Sequence, residues 1–151
     1  MSRIRIVVGP QAFDLGQEYA ALVTGDVDSG AVAAFVGRVR DFGSDSVMTL
    51  EHYPGMTEKA LAAIVDTACA RWPLAAVTVI HRVGRLAAGD EIVLVLTASR
   101  HRRAAYDANA YIMDYLKTEA PFWKLEQNSA GRQWVEAREE DDTERQRWEA
   151  P

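Results

Sequence analysis

The run Glu91 to Thr97, EIVLVLT, constrains the fold of this chain more than any other stretch. Ile92 to Leu96 are apolar without a break, so a strand formed here is apolar on both faces. Such a strand needs a covering layer on each side. Further strands are expected nearby. Arg3 to Val8 alternates before turning apolar, and Ala31 to Val39 is a small-residue and β-branched run that reads as a central strand. Val47 to Tyr53 and Ala76 to Val83 read the same way, and Gly84 to Asp90 reads as a turn region. Asp14 followed by Gln17 resembles a capping box for a short helix with Tyr19, Leu22 and Val23 on its inner face. Thr57 is placed to cap a second helix, whose stripe Leu61, Ile64, Val65, Ala68 and Trp72 has helical spacing before Pro73 stops it. A third, long helix is expected to open at Ser99, its cap, with Ala104, Ala108, Tyr111, Ile112 and Tyr115 turned inward. Strand–helix–strand order mixed with hairpins indicates an α+β fold rather than a doubly wound sheet.

A chain of 151 residues is expected to form one domain over 1–138, with an acidic, flexible tail over 139–151. The tail carries six acidic residues against Arg145 and Arg147, which accounts for most of the net charge of −5 and leaves the body nearly neutral. That balance argues against general nucleic-acid binding, which needs a broad basic face, but leaves room for a small basic pocket. The single Cys69 excludes an internal disulfide and a multi-cysteine metal site, and reads as a small core residue. No stretch approaches a transmembrane span, and the apolar run in MSRIRIVV is too short for a signal peptide, so a soluble cytoplasmic protein is expected. Nucleotide-loop, zinc-protease and nucleophile-elbow motifs are missing, so no cofactor or metal is expected.

Three places carry unusual charge. Arg38 and Arg40 flank Val39 at a strand end, and period-2 geometry points both to one face. They read either as an anion site or as surface arginines matched by Asp41 or Asp45. Arg100, His101, Arg102 and Arg103 open the long helix. Cations there oppose the helix dipole unless an anion sits on the free N–H groups. Lys117 lies near the end of that helix, which breaks at Ala120 before Pro121. Lys124 follows in a strand whose one face is Phe122, Lys124 and Glu126, and whose other, inward face is Trp123 and Leu125. A turn at Pro121 brings Lys124 back towards Lys117 as an anion site. The plainer reading makes the first a dipole-matched lysine and the second a guard on an edge strand. Past a hairpin at Asn128 to Gly131, Arg138 ends another strand.

Several segments, in this order and spacing, resemble the large, catalytic subunit of molybdopterin synthase. They are Gly37-Arg38-Val39-Arg40, Leu50 to Ala60 (LEHYPGMTEKA), Val79 to Gly84 (VIHRVG), Gly89-Asp90-Glu91 and Ser99-Arg100-His101-Arg102. Met113 to Thr118 (MDYLKT), Ala120 to Lys124 (APFWK) and Trp134 to Arg138 (WVEAR) complete the set. The resemblance covers nearly the whole chain; the loop after Arg40 is shorter than is usual in that family. It implies an α/β-hammerhead fold with an added small antiparallel β subdomain. It implies a homodimer within a heterotetramer, each end holding a small ubiquitin-like sulfur carrier. The reaction it implies moves two sulfurs from the carrier's C-terminal thiocarboxylate to cyclic pyranopterin monophosphate, making the dithiolene of molybdopterin. Carried over residue by residue, Lys117 and Lys124 are the catalytic residues. The substrate-binding set adds Arg38, Val39, Arg40, His101, Arg102, Leu125, Glu126 and Arg138.

Overall fold

The structure, a computed structural model, describes residues 2–135 and 139–149. Twelve elements follow one another among them: β1 (Arg3–Gly9), α1 (Leu15–Leu22), β2 (Ala31–Arg38), β3 (Val47–His52), α2 (Met56–Arg71), β4 (Leu74–Arg82), β5 (Gly84–Ala87), β6 (Glu91–Ser99), α3 (Arg102–Glu119), β7 (Phe122–Asn128), β8 (Gly131–Val135) and α4 (Glu139–Gln146). They form two four-stranded sheets, in orders β1-β4-β6-β2 and β5-β3-β7-β8. In the first, β1 runs parallel to β4 and the other pairs are antiparallel. The second is antiparallel throughout. The fold is α+β, an α/β-hammerhead with an additional small antiparallel β subdomain.

The unbroken apolar run of β6 is explained by what covers it. Val93 and Val95 pack with Val77 and Val79 of β4 under α2 and α3, against Leu61, Val65, Ile112 and Leu116. Leu94 and Leu96 face the other way and pack with Ile80 and with Leu22 of α1. Each side of the strand thus closes its own core. A third cluster, Val39, Met48, Leu50 and Leu86, joins the second sheet to the end of β2.

Several local expectations give way to tertiary packing. β2, read as a central strand, is an edge of its sheet and pairs with β6 alone. Its bulge falls at Gly37, where an added Cβ would stand 2.6 Å from a Val93 methyl carbon. The cap of α2 is Gly55, at φ +85°, and Thr57 is the second residue of the helix, with its hydroxyl donating to the Tyr53 carbonyl. Ser99 stays in β6 and donates to the Pro73 carbonyl, so α3 opens at His101. In α1, Asp14 does cap by accepting from Gln17 N, but Tyr19 is 48% exposed and only Leu22 is buried. Within the expected turn region, residues 84–87 form β5, paired along β3. Trp123, expected to face inward, is 38% exposed and stands edge-on against Tyr53.

The stretch read from sequence as a flexible tail contains α4, laid against α3. Trp148 fixes it: the ring stands edge-on to Trp72 and Tyr111, and its Nε1 donates to Asp114 at 2.6 Å. Arg71 stacks over all three rings. Arg145 pairs with Glu119 at 2.7 Å and Arg147 with Asp114 at 3.4 Å. These ion pairs are partly exposed and contribute little alone, so the aromatic contact is the main attachment. Trp148→Ala is expected to cost about 2–3 kcal/mol in urea unfolding. It should also abolish amide-exchange protection over 139–146; unchanged protection there would show that Trp148 is not the anchor.

Candidate functional site

A cavity of about 550 Å³ opens where the end of α3 meets the second sheet. Its position follows from three chain features. The bulge at Gly37 ends β2 and delivers Arg38 and Arg40 to the rim. Between them Val39 is 2% exposed, with its N–H donating to the Asp90 carbonyl and its own carbonyl accepting from Gly89 N. Val39 does not line the cavity; it clamps the backbone that carries the two arginines. Third, Ala120 and Pro121 stop α3 just after Lys117, and the chain returns as β7, whose inner face presents Phe122, Lys124 and Glu126.

Four cations therefore line one cavity: Arg38, Arg40, Lys117 and Lys124. Two carboxylates, Glu126 and Asp141 of α4, share it, so the formal balance favours an anionic ligand. The carboxylates read as partners of the arginines are elsewhere engaged or distant. Asp41 accepts from Gly43 N and the Ser46 hydroxyl, and among the described residues neither arginine forms an ion pair with Asp41 or Asp45. Arg38 instead donates to the Gly89 carbonyl at 3.3 Å. The remaining wall is apolar, made by Met48, Leu50, Ile92 and Leu116. Such a mixture suits a flat ring with a charged substituent. No group of three potential metal ligands occurs among the described residues.

The other expected site residues lie apart. Leu125 is on the opposite face of β7, in register with Thr49 and Trp134. His101 and Arg102 are exposed at the start of α3, fifteen residues before Lys117. At 1.5 Å per residue that is about 22 Å along the helix. Arg138 lies outside the described residues.

His81 is among the cavity-wall residues that sequence reasoning did not place in the site. His81 is 6% exposed and its ring lies flat on Phe122, centroids 3.8 Å apart at 18°. Nδ1 sits 2.8 Å from the Arg82 carbonyl. Burial pushes its pKa down to about 4, aided by the charges of Lys117, Lys124 and His52 and opposed by the Arg82 hydrogen bond. The period-2 pattern Val77, Val79, His81 was the available signal, because it puts an imidazole on a core face.

The family model described as MoaE protein matches residues 8–119. The chain is 58% identical to the molybdopterin synthase catalytic subunit of Escherichia coli (strain K12) over 151 residues, covering 98% of this chain and all of that one. A solved MoaE protein of molybdopterin biosynthesis from Burkholderia ambifaria superposes with a TM-score of 0.84 at 49% identity, over the full length of both chains. A molybdopterin synthase from Staphylococcus aureus does so with a TM-score of 0.78 at 32% identity, covering 89% of this chain and 98% of that one.

The buried imidazole has a consequence for stability. Unfolded, His81 titrates near 6.5; folded, near 4. Between these values the unfolded chain binds more protons, so stability is full above about pH 6.5 and falls as pH drops towards 4. The loss is of the order of 3 kcal/mol. Urea unfolding at several pH values should show that slope in the wild type and its loss in His81→Phe; equal slopes in both proteins would contradict it.

Proposed function

The chain belongs to the MoaE protein family, it is a molybdopterin synthase catalytic subunit, and we propose that the basic cavity is where its sulfur transfer takes place. The observation that carries this reading is the convergence of Arg38, Arg40, Lys117 and Lys124, from three separate elements, on one cavity with an apolar wall. The proposed substrate is cyclic pyranopterin monophosphate. The proposed donor is the thiocarboxylated C-terminus of a small ubiquitin-like carrier, the partner subunit; each charged carrier delivers one sulfur and leaves as the carboxylate, so two successive carriers form the dithiolene.

Both reactants are anions, so bringing them together costs Coulomb energy that grows as water leaves. Guanidinium groups at Arg38 and Arg40 offset it by forked hydrogen bonds to phosphate oxygens and by stabilising the charge that develops when the cyclic phosphate opens. Lys117 and Lys124 act at the sulfur end. Lys124 meets the carrier's terminal anion, with Glu126 on the same face of β7 to orient it. Lys117, on the end of a helix packed into the core, supplies the proton exchanged with the substrate oxygen that leaves. Val39 serves through its backbone clamp. Leu125 and Arg138 keep the binding roles the resemblance implies, Leu125 through the backbone of β7. The reaction belongs to the cytoplasm in this reading. No helix among the described residues is long and apolar enough to cross a membrane, and no nucleic-acid partner is invoked.

His101 and Arg102 require a second copy. About 22 Å of helix separates them from Lys117, so a substrate held by one chain's cavity meets them only from the α3 start of another. A homodimer is therefore part of the reading, with each active site drawn from two chains.

Lys117→Ala should lower sulfur transfer about 100-fold or more while the fold and carrier binding persist. The assay is product formation from purified carrier thiocarboxylate and cyclic pyranopterin monophosphate; near-normal turnover would remove Lys117 from catalysis. Shared sites make a further expectation. Lys117→Ala and Arg102→Ala proteins, each inactive, should regain about a quarter of wild-type activity after subunit exchange. Half of the dimers are then mixed and each holds one intact site of two. No recovery after proven exchange would place both residues' roles within one chain.

A further inference from the structure

The cations of the cavity account for one end of a ligand. They cannot select its other end, because ammonium and guanidinium groups offer no lone pair. The wall opposite that task contains His81. Its Nδ1 lies 2.8 Å from the Arg82 carbonyl oxygen, which can only accept. Nδ1 therefore carries the hydrogen, and in a neutral ring Nε2 is left with a lone pair. Nε2 is the ring's remaining polar atom, on a side chain that lines the cavity and is held rigid by the stack with Phe122.

We propose that His81 is a specificity-determining residue of this site, whose Nε2 accepts a hydrogen bond from an N–H or O–H of the substrate. The cavity then selects an anion that carries a donor edge, rather than any anion of the right charge. The inference rests on the reading of the cavity as the site for cyclic pyranopterin monophosphate, whose reduced pterin ring presents N–H donors while its phosphate meets the arginines.

The surroundings keep the acceptor an acceptor. A protonated His81 would donate from both nitrogens and add a fifth positive charge. Lys117 from α3, Lys124 from β7 and His52 from β3 face the ring and oppose that protonation, as does its burial. Glu126 and Asp141 line the same cavity with the opposite sign. They also accept hydrogen bonds, but each repels the anion it would help to hold. A neutral imidazole accepts without that cost.

Two variants separate the acceptor from the shape. His81→Phe keeps an aromatic ring against Phe122 and removes the lone pair; His81→Gln restores an acceptor near the Nε2 position and loses the stack. In the complex with the carrier, His81→Phe should raise KM for cyclic pyranopterin monophosphate about tenfold or more, with a smaller change in kcat. Inhibition by inorganic phosphate should be unchanged, and His81→Gln should lie closer to wild type. Independently of any variant, the ¹⁵N resonance of His81 Nε2 in the wild type should move when cyclic pyranopterin monophosphate is added and stay when inorganic phosphate is added. A wild-type KM in His81→Phe would overturn the proposal. So would equal weakening of phosphate and substrate, or an Nε2 resonance indifferent to both. If His81→Phe fails to fold, the resonance decides alone. Wild-type turnover tests the reading of the site itself, whereas the ratio of variant to wild type tests His81.

Discussion

A buried amide holds the working parts of this molecule in register. Asn109, in the middle of α3, donates from Nδ2 to the Ala33 carbonyl of β2 and to the Val95 carbonyl of β6, at 3.1 and 2.9 Å. One turn earlier, Thr97 donates to the Ala105 carbonyl at 2.7 Å. Apolar packing alone would let α3 slide along the sheet at little cost, since Ala108, Ile112 and Leu116 meet valines whose surfaces repeat. Polar contacts do not slide: an Asn amide left unpaired in this core costs about 1–3 kcal/mol. The helix is thus fixed lengthwise against the two strands. Because Arg38 ends β2 and Lys117 lies two turns beyond Asn109, the amide also sets the distance between the cavity's two kinds of cation.

The charges in the cavity follow from the same frame. Three of the cations sit at the end of an element, Arg38 and Arg40 past the bulge of β2 and Lys117 in the last turn of α3, while Lys124 is the third residue of β7, the strand that begins directly after the break. Chain ends can converge from different directions, which strand or helix interiors cannot do. Lys117 also gains from the helix dipole when no ligand is present. The two readings of that lysine left open by sequence are therefore compatible: the dipole stabilises the charge that the cavity uses.

What the sequence disclosed depended on the range of the forces involved. The stripe of α2, the buried run of β6 and the stop at Ala120 and Pro121 are short-range patterns, and each appears where expected. The convergence of Lys117 and Lys124 was legible because a proline-enforced turn and a seven-residue spacing are also local. Caps were less so. Thr57 and Ser99 have the chemistry of N-caps, yet each spends its hydroxyl on a nearby carbonyl, of Tyr53 and Pro73, and the chain turns at Gly55 and His101 instead. Edge status is not encoded in β2's own residues, because it depends on what lies beside it. His101 and Arg102 were grouped with Lys117 by family resemblance alone; the helix read from the sequence already put them at its start and Lys117 near its end, as the structure has them. Trp123 failed for a different reason: alternation tells which residues share a face, but not which face the second core covers.

The end of α3 brings the two halves of the molecule together. Its last turns serve three neighbours at once. Ile112 and Leu116 face the first core, Lys117 faces the cavity, and Asp114 and Glu119 hold α4 through Trp148 and Arg145. This partition explains why the helix stops where it does. Another turn would carry the chain past the second sheet, whereas the break at Pro121 lets it return at once as β7 beside β3, with Phe122 against His81 and Lys124 across from Leu50. The cavity exists because the helix ends there. α4 then adds Asp141 to a space lined by four cations, which lowers their mutual repulsion while no ligand is bound. An arriving anion replaces part of that compensation, so its binding is worth less in charge than four cations suggest. The discrimination that charge gives up falls to neutral groups of the wall.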